Sequence, residues 1–116
     1  MFFYFMETLT RTTYCGVPVS DEFDKIPQVF FNELENYFTQ GYCSGFLHEY
    51  LNNDFIMAIA RSDNQFDGAF RQIMYFMMNR IPAKNLYWGS EKVVKDFIFN
   101  RHYFTREQLV ERYNLG

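Results

Sequence analysis

The sequence has little that breaks or cross-links a chain: 3 prolines, 6 glycines and 2 cysteines in 116 residues. With an apolar share of 48%, ordinary for a globular protein, such scarcity excludes low-complexity disorder. Cys15 and Cys43 cannot form a disulfide framework, and two reduced thiols in a cytoplasmic protein is the expectation. Long hydrophobic runs are missing too. No apolar run exceeds 6 residues. A spanning helix needs about 20, so no membrane partner is expected. The start of the chain is apolar but has no basic residue before Glu7, which does not fit a secretory leader. Met6 is an alternative start.

Signatures of chemistry are also sparse. The chain has 2 histidines and no GxSxG, Walker loop, GxGxxG or HExxH. Neither CxxC nor HxxxH spacing occurs, so no metal site and no cofactor are expected. The stretch DNQFDG at Asp63–Gly68 begins like a calcium loop but places Met74 where a bidentate Glu is required. Cys15 and Cys43 lack a diagnostic surround for a nucleophile. No catalytic residue is assigned, and the chain is read as a non-enzyme. A small enzyme whose site is assembled across helices stays open as an alternative.

What is abundant is aromatic: 15 Phe, 9 Tyr and 1 Trp, or 22% of the chain. Each ring has about 150–250 Å² to bury. The expectation is more rings than one small domain can hide, the surplus lying at an interface with a protein partner or a second copy in a homodimer.

Periodicity and turn chemistry give a mainly α single domain over residues 1–116, with about five helices and a minor N-terminal β element. Residues 2–15 (FFYFMETLTRTTYC) suit a strand closed by Gly16 and Pro18. A helix is predicted from about Asp24 to Gln40, with Phe30, Leu34, Tyr37 and Phe38 on one stripe and Gly41 as its stop. Ser44 can cap the next helix, which runs to about Arg61, with Asn52 and Asn53 marking a bend. A helix from Asp63 to Arg80 places Phe66, Phe70, Ile73, Met74 and Met77 on its inner face, with an Asp67–Arg71 pair on its surface. Residues 85–88 (NLYW) read as a short strand able to pair with the first. Ser90 caps a helix with Val93, Val94, Phe97 and Ile98 inside. Thr105 and Gln108 form a capping box for a helix from Arg106 to about Tyr113.

Charge is segregated along the chain. Residues 20–54 carry Asp21, Glu22, Asp24, Glu33, Glu35, Glu49 and Asp54 against Lys25, a net −6, whereas residues 55–116 carry net +3. The acidic stretch complements helix N-termini and also suits a basic partner. This gives the leading functional expectation: a small regulator or inhibitor, of the kind carried by phages or mobile elements, binding a protein through Asp21, Glu22, Asp24, Glu33, Glu35 and Tyr37. The alternative is a nucleic-acid accessory role for Lys92, Lys95, Arg101, Tyr103 and Arg106. The segment TREQLVERYNLG resembles the first helix of a helix-turn-helix unit, but no recognition helix follows it in this sequence.

Overall fold

A computed structural model of the chain describes residues 11–43, 45–61, Phe66 and 68–116. Among these, a short antiparallel hairpin, β1 (Thr13–Tyr14) and β2 (Val17–Pro18), leads into a one-turn 3₁₀ helix at Asp21–Phe23. Six α-helices follow: α1 (Gln28–Gln40), α2 (Gly45–Leu51), α3 (Phe55–Arg61), α4 (Phe70–Asn79), α5 (Glu91–Asn100) and α6 (Arg106–Leu115). The protein is thus mainly α with a minor β element, as the sequence predicts.

The hairpin follows from two residues. Cys15 and Gly16 both have positive φ, 53° and 85°, the conformation of a two-residue turn whose twist matches paired strands. The Gln28 side chain then accepts from the Thr13 N–H at 2.8 Å and donates to its carbonyl at 2.7 Å, fixing the hairpin to the start of α1. The expected strand is therefore short in its described part, and its residues 2–10 lie outside the described residues.

Local stop and start signals act where the sequence places them. Gly41 sits at φ 74° and its N–H bonds to Tyr37 O, ending α1. Ser90 Oγ accepts from the Val93 N–H, opening α5. Thr105 and Gln108 make both bonds of the capping box. Other boundaries differ from expectation. α1 begins at Gln28 rather than near Asp24, because the acidic residues before it form the separate 3₁₀ turn. The bend at Asn52–Asn53 is a full break: Asn53 turns left-handed at φ 67°, and Asp54 Oδ1 accepts from Met57 N–H to start α3. Ser44, the expected cap of α2, lies outside the described residues, as do Asp63 and Asp67.

Two corrections are larger. α4 begins at Phe70, because Gly68 at φ 81° resets the chain. Phe66, Ile73 and Met77 are buried and Phe70 packs on the core as expected, joined by Ala69 and Phe76, whereas Met74 faces outward. Residues 85–88 are a tight turn rather than a strand, with a single bridge from Lys84 to Trp88 and none to the hairpin. Asn85 at φ 73° supplies the reversal.

Buried residues from all six helices merge into one core. Rings pack on rings throughout, as in Phe31 against Phe76 (centroids 5.1 Å apart) and Phe38 against Phe97 (6.0 Å). Trp88 is fully buried and donates its indole N–H to Pro82 O at 2.9 Å. The rings of the described residues are mostly absorbed this way. Among the described residues, the exposed rings are Tyr42, Tyr75 and Phe99. Much of the remaining exposed apolar surface is aliphatic or thioether: Ile56, Met57 and Ile59 on α3, Met74 and Met78 on α4. No helix among the described residues is long and apolar enough to cross a membrane.

Candidate interaction surface

The acidic residues expected to face a partner separate into two groups. Asp21, Glu22 and Asp24 stay together, exposed on the 3₁₀ turn and the residue after it. The turn is anchored from below by Phe23 and Ile26, both buried. It is latched sideways to α4: Gln72 donates to Asp24 Oδ1 at 3.0 Å and accepts from the Lys25 N–H at 2.8 Å. One helical turn after Gln72 stands Tyr75, 53% exposed, its ring 6.0 Å from that of Phe23. Met74 and Met78 continue this outward face. Glu22, Phe23, Arg71, Gln72 and Tyr75 line a shallow hollow of about 330 Å³.

The second group does not join this surface. Glu35 is largely covered and pairs with Arg106. Glu33 is half-buried on α1, where its charge acts on Cys43. Tyr37 is fully buried, and its hydroxyl donates to Tyr87 O at 2.7 Å. It anchors the core and presents no face to a partner. Tyr75 occupies the position beside the carboxylates that Tyr37 was expected to fill. The signal for it lay in the helical period itself, since Ile73 and Met77 turned inward leave Tyr75 on the opposite face.

Spatial pairing also offsets the charge segregation. Asp21 meets Arg11 at 3.4 Å and Glu22 meets Arg80 at 2.7 Å. In the basic half, Lys92 pairs with Asp96 at 2.9 Å and Lys95 with Glu91 at 2.8 Å, both one turn apart on α5. Tyr103 donates to Ile98 O and covers Gly41. Arg101 is exposed at the left-handed end of α5, φ 57°. The residues expected to touch phosphate are therefore interleaved with carboxylates.

The thiols are in acidic, partly buried settings. The Cys43 sulfur lies 3.7 Å from His48 Nδ1. Burial, with Glu33 and Glu49 adding to it, pushes the Cys43 thiol up to about 12. Burial and Glu35 raise Cys15 to about 12 as well, against a lowering pull from Arg106. A thiolate nucleophile requires the opposite displacement. Among the described residues, no three His, Cys, Asp or Glu side chains stand together as metal ligands.

Comparison with protein-family models, curated proteins and solved structures finds no match for this chain.

Proposed function

We propose that the protein is a non-enzymatic interaction module whose partner is a protein with basic side chains around an apolar patch. The partner docks on the Asp21–Asp24 turn and the Met74–Tyr75–Met78 face of α4. The observation that carries this reading is Tyr75, half-exposed and lining one hollow with Glu22, on the helix whose Gln72 holds Asp24 of the same turn. Tyrosine combines a large contact area with few torsions to freeze, and methionine adapts to irregular surfaces. Asp24, held by the neutral Gln72 side chain, selects the orientation of a basic partner, while Asp21 and Glu22 face Arg11 and Arg80. Occupying a partner's surface in this way is how a small regulator or inhibitor acts.

The test is affinity capture from native lysate at low salt. Wild-type protein is compared with Tyr75→Ser and with the pair Asp21→Asn, Asp24→Asn. A specific partner is retained by the wild type, released as salt rises, and lost from both variants while their circular dichroism is unchanged. A partner held equally by all three proteins rules the surface out.

A further inference from the structure

The two halves of α6 are held differently. The first half is pinned at several points. The Phe104 N–H donates to Phe38 O at 2.8 Å, Thr105 and Gln108 close the capping box, Arg106 pairs with Glu35, and Leu109 is fully buried. In the second half, Val110–Leu115, only Tyr113 is buried. The Arg112 Nε–H donates to Ile81 O at 3.2 Å, and Gly116 lies against the Asn79 backbone at the end of α4.

Tyr113 in turn serves the acidic turn. Its hydroxyl accepts from the N–H of Ser20, the residue that enters the turn and whose side chain makes no cap bond. Its carbonyl and ring hold Arg80, which pairs with Glu22 and lies over Phe23. Arg80 Nε is buried with no hydrogen-bond partner. Lifting Tyr113 admits water to that nitrogen and recovers part of the cost of burying it, which lowers the free energy of a local opening.

We propose that Val110–Leu115 is a strap that holds the Asp21–Asp24 turn in its ordered form, so that the surface beside Tyr75 is complete only while the strap is docked. The consequence for binding rests on the partner surface proposed above, whereas the strap itself needs no partner. When it lifts, the Ser20 N–H and Arg80 lose their partner together. The turn is left with its Gln72 latch, the Arg11–Asp21 pair and the buried Phe23 and Ile26. The end of α6 and the turn therefore open as one unit, while α5 stays closed. The coupling is reciprocal: whatever orders the turn also tightens the strap.

Hydrogen exchange of the ¹⁵N-labelled full chain tests this at single amides. Tyr113→Phe keeps the ring and removes the acceptor. It should speed exchange at Phe23 and Asp24 by about fivefold, the factor for one lost hydrogen bond, and leave Val94 and Phe97 of α5 unchanged. Glu22→Gln, on the turn, should speed exchange at Arg112 and Tyr113 by about twofold. In the capture assay above, Tyr113→Phe should release the partner at lower salt. Unchanged turn amides in Tyr113→Phe, or unchanged α6 amides in Glu22→Gln, overturn the strap. Equal acceleration at Val94 and Phe97 overturns it too, since the chain then opens as a whole. If the turn loosens and capture is unchanged, the strap does not govern the surface. The exchange readouts need no partner, so an empty capture bears on the docking surface alone.

Discussion

Arg80 Nη2 lies 2.7 Å from Glu22 Oε1, joining the end of α4 to the acidic turn across 58 residues of sequence. The same guanidinium sits over Phe23 and Tyr113, 5.6 and 5.3 Å from the ring centroids, and donates from Nη1 to Tyr113 O at 3.0 Å. Arg80 therefore clamps the turn, α4 and α6 together. Arg80→Met keeps the stem and loses these contacts, and is expected to destabilise by about 1–3 kcal/mol. Glu22→Gln, at an exposed partner, costs less than about 1 kcal/mol. Urea unfolding of both variants measures the asymmetry, and equal costs would show that the ion pair, not the ring contacts, dominates.

Gly89 is irreplaceable for two separate reasons. Its φ is 121°, and an added Cβ would lie 2.9 Å from Asn85 Oδ1 and 3.0 Å from Lys84 Cγ. Gly89→Ala is expected to cost at least about 2 kcal/mol. The neighbouring Trp88 is the single tryptophan and is fully buried. Its emission should be blue-shifted in the native protein, move to the red on unfolding, and show an earlier urea midpoint in the variant.

Stability should fall in alkali. Burial raises Cys15 and Cys43 from 9.0 to about 12 and Tyr50 from 10.0 to about 12, and raises Tyr14 and Tyr37 as well. The folded chain therefore holds these protons more tightly than the unfolded one. Their contribution is complete below the unfolded values and is lost as pH climbs from about 9 toward 12. Urea midpoints measured from neutral pH to about 11 should decline, and the double variant Cys15→Ala, Cys43→Ala should decline less steeply. A flat profile would contradict the burial of these groups.

The cap of α6 offers a local test. Thr105→Ala removes the side-chain acceptor for the Gln108 N–H and should cost about 1 kcal/mol. Thr105→Ser should restore most of it. Thermal unfolding of the two variants side by side separates the lost hydrogen bond from the lost methyl group.

Features set by a few adjacent residues were legible in the sequence. The stop at Gly41, the caps at Ser90 and Thr105 and the inner faces of α1 and α5 depend on short-range geometry. The phase of α4 was largely legible, since Phe66, Phe70, Ile73 and Met77 all turn toward the core and only Met74 does not. What the period missed is the start of the helix at Phe70, the burial of Phe76 and the exposure of Met74. The strand-like composition of Asn85–Trp88 concealed a turn, since Trp88 is buried and Tyr87 packs partly buried against the core without any ladder. The acidic residues were visible, but their division was not. Pairing of Glu35 with Arg106 spans 71 residues, and the burial of Tyr37 depends on packing with α5.

The hydroxyl of Tyr113 accepts from the Ser20 N–H across 93 residues, and its ring lies 5.9 Å from Tyr14. The first described elements are thus completed by the last helix. The hairpin and acidic turn therefore gain their full set of contacts only when a segment more than 90 residues away in sequence has docked. Until then the rings of Tyr14 and Phe76 lack part of their cover, and closure of this small helical protein depends on a long-range contact.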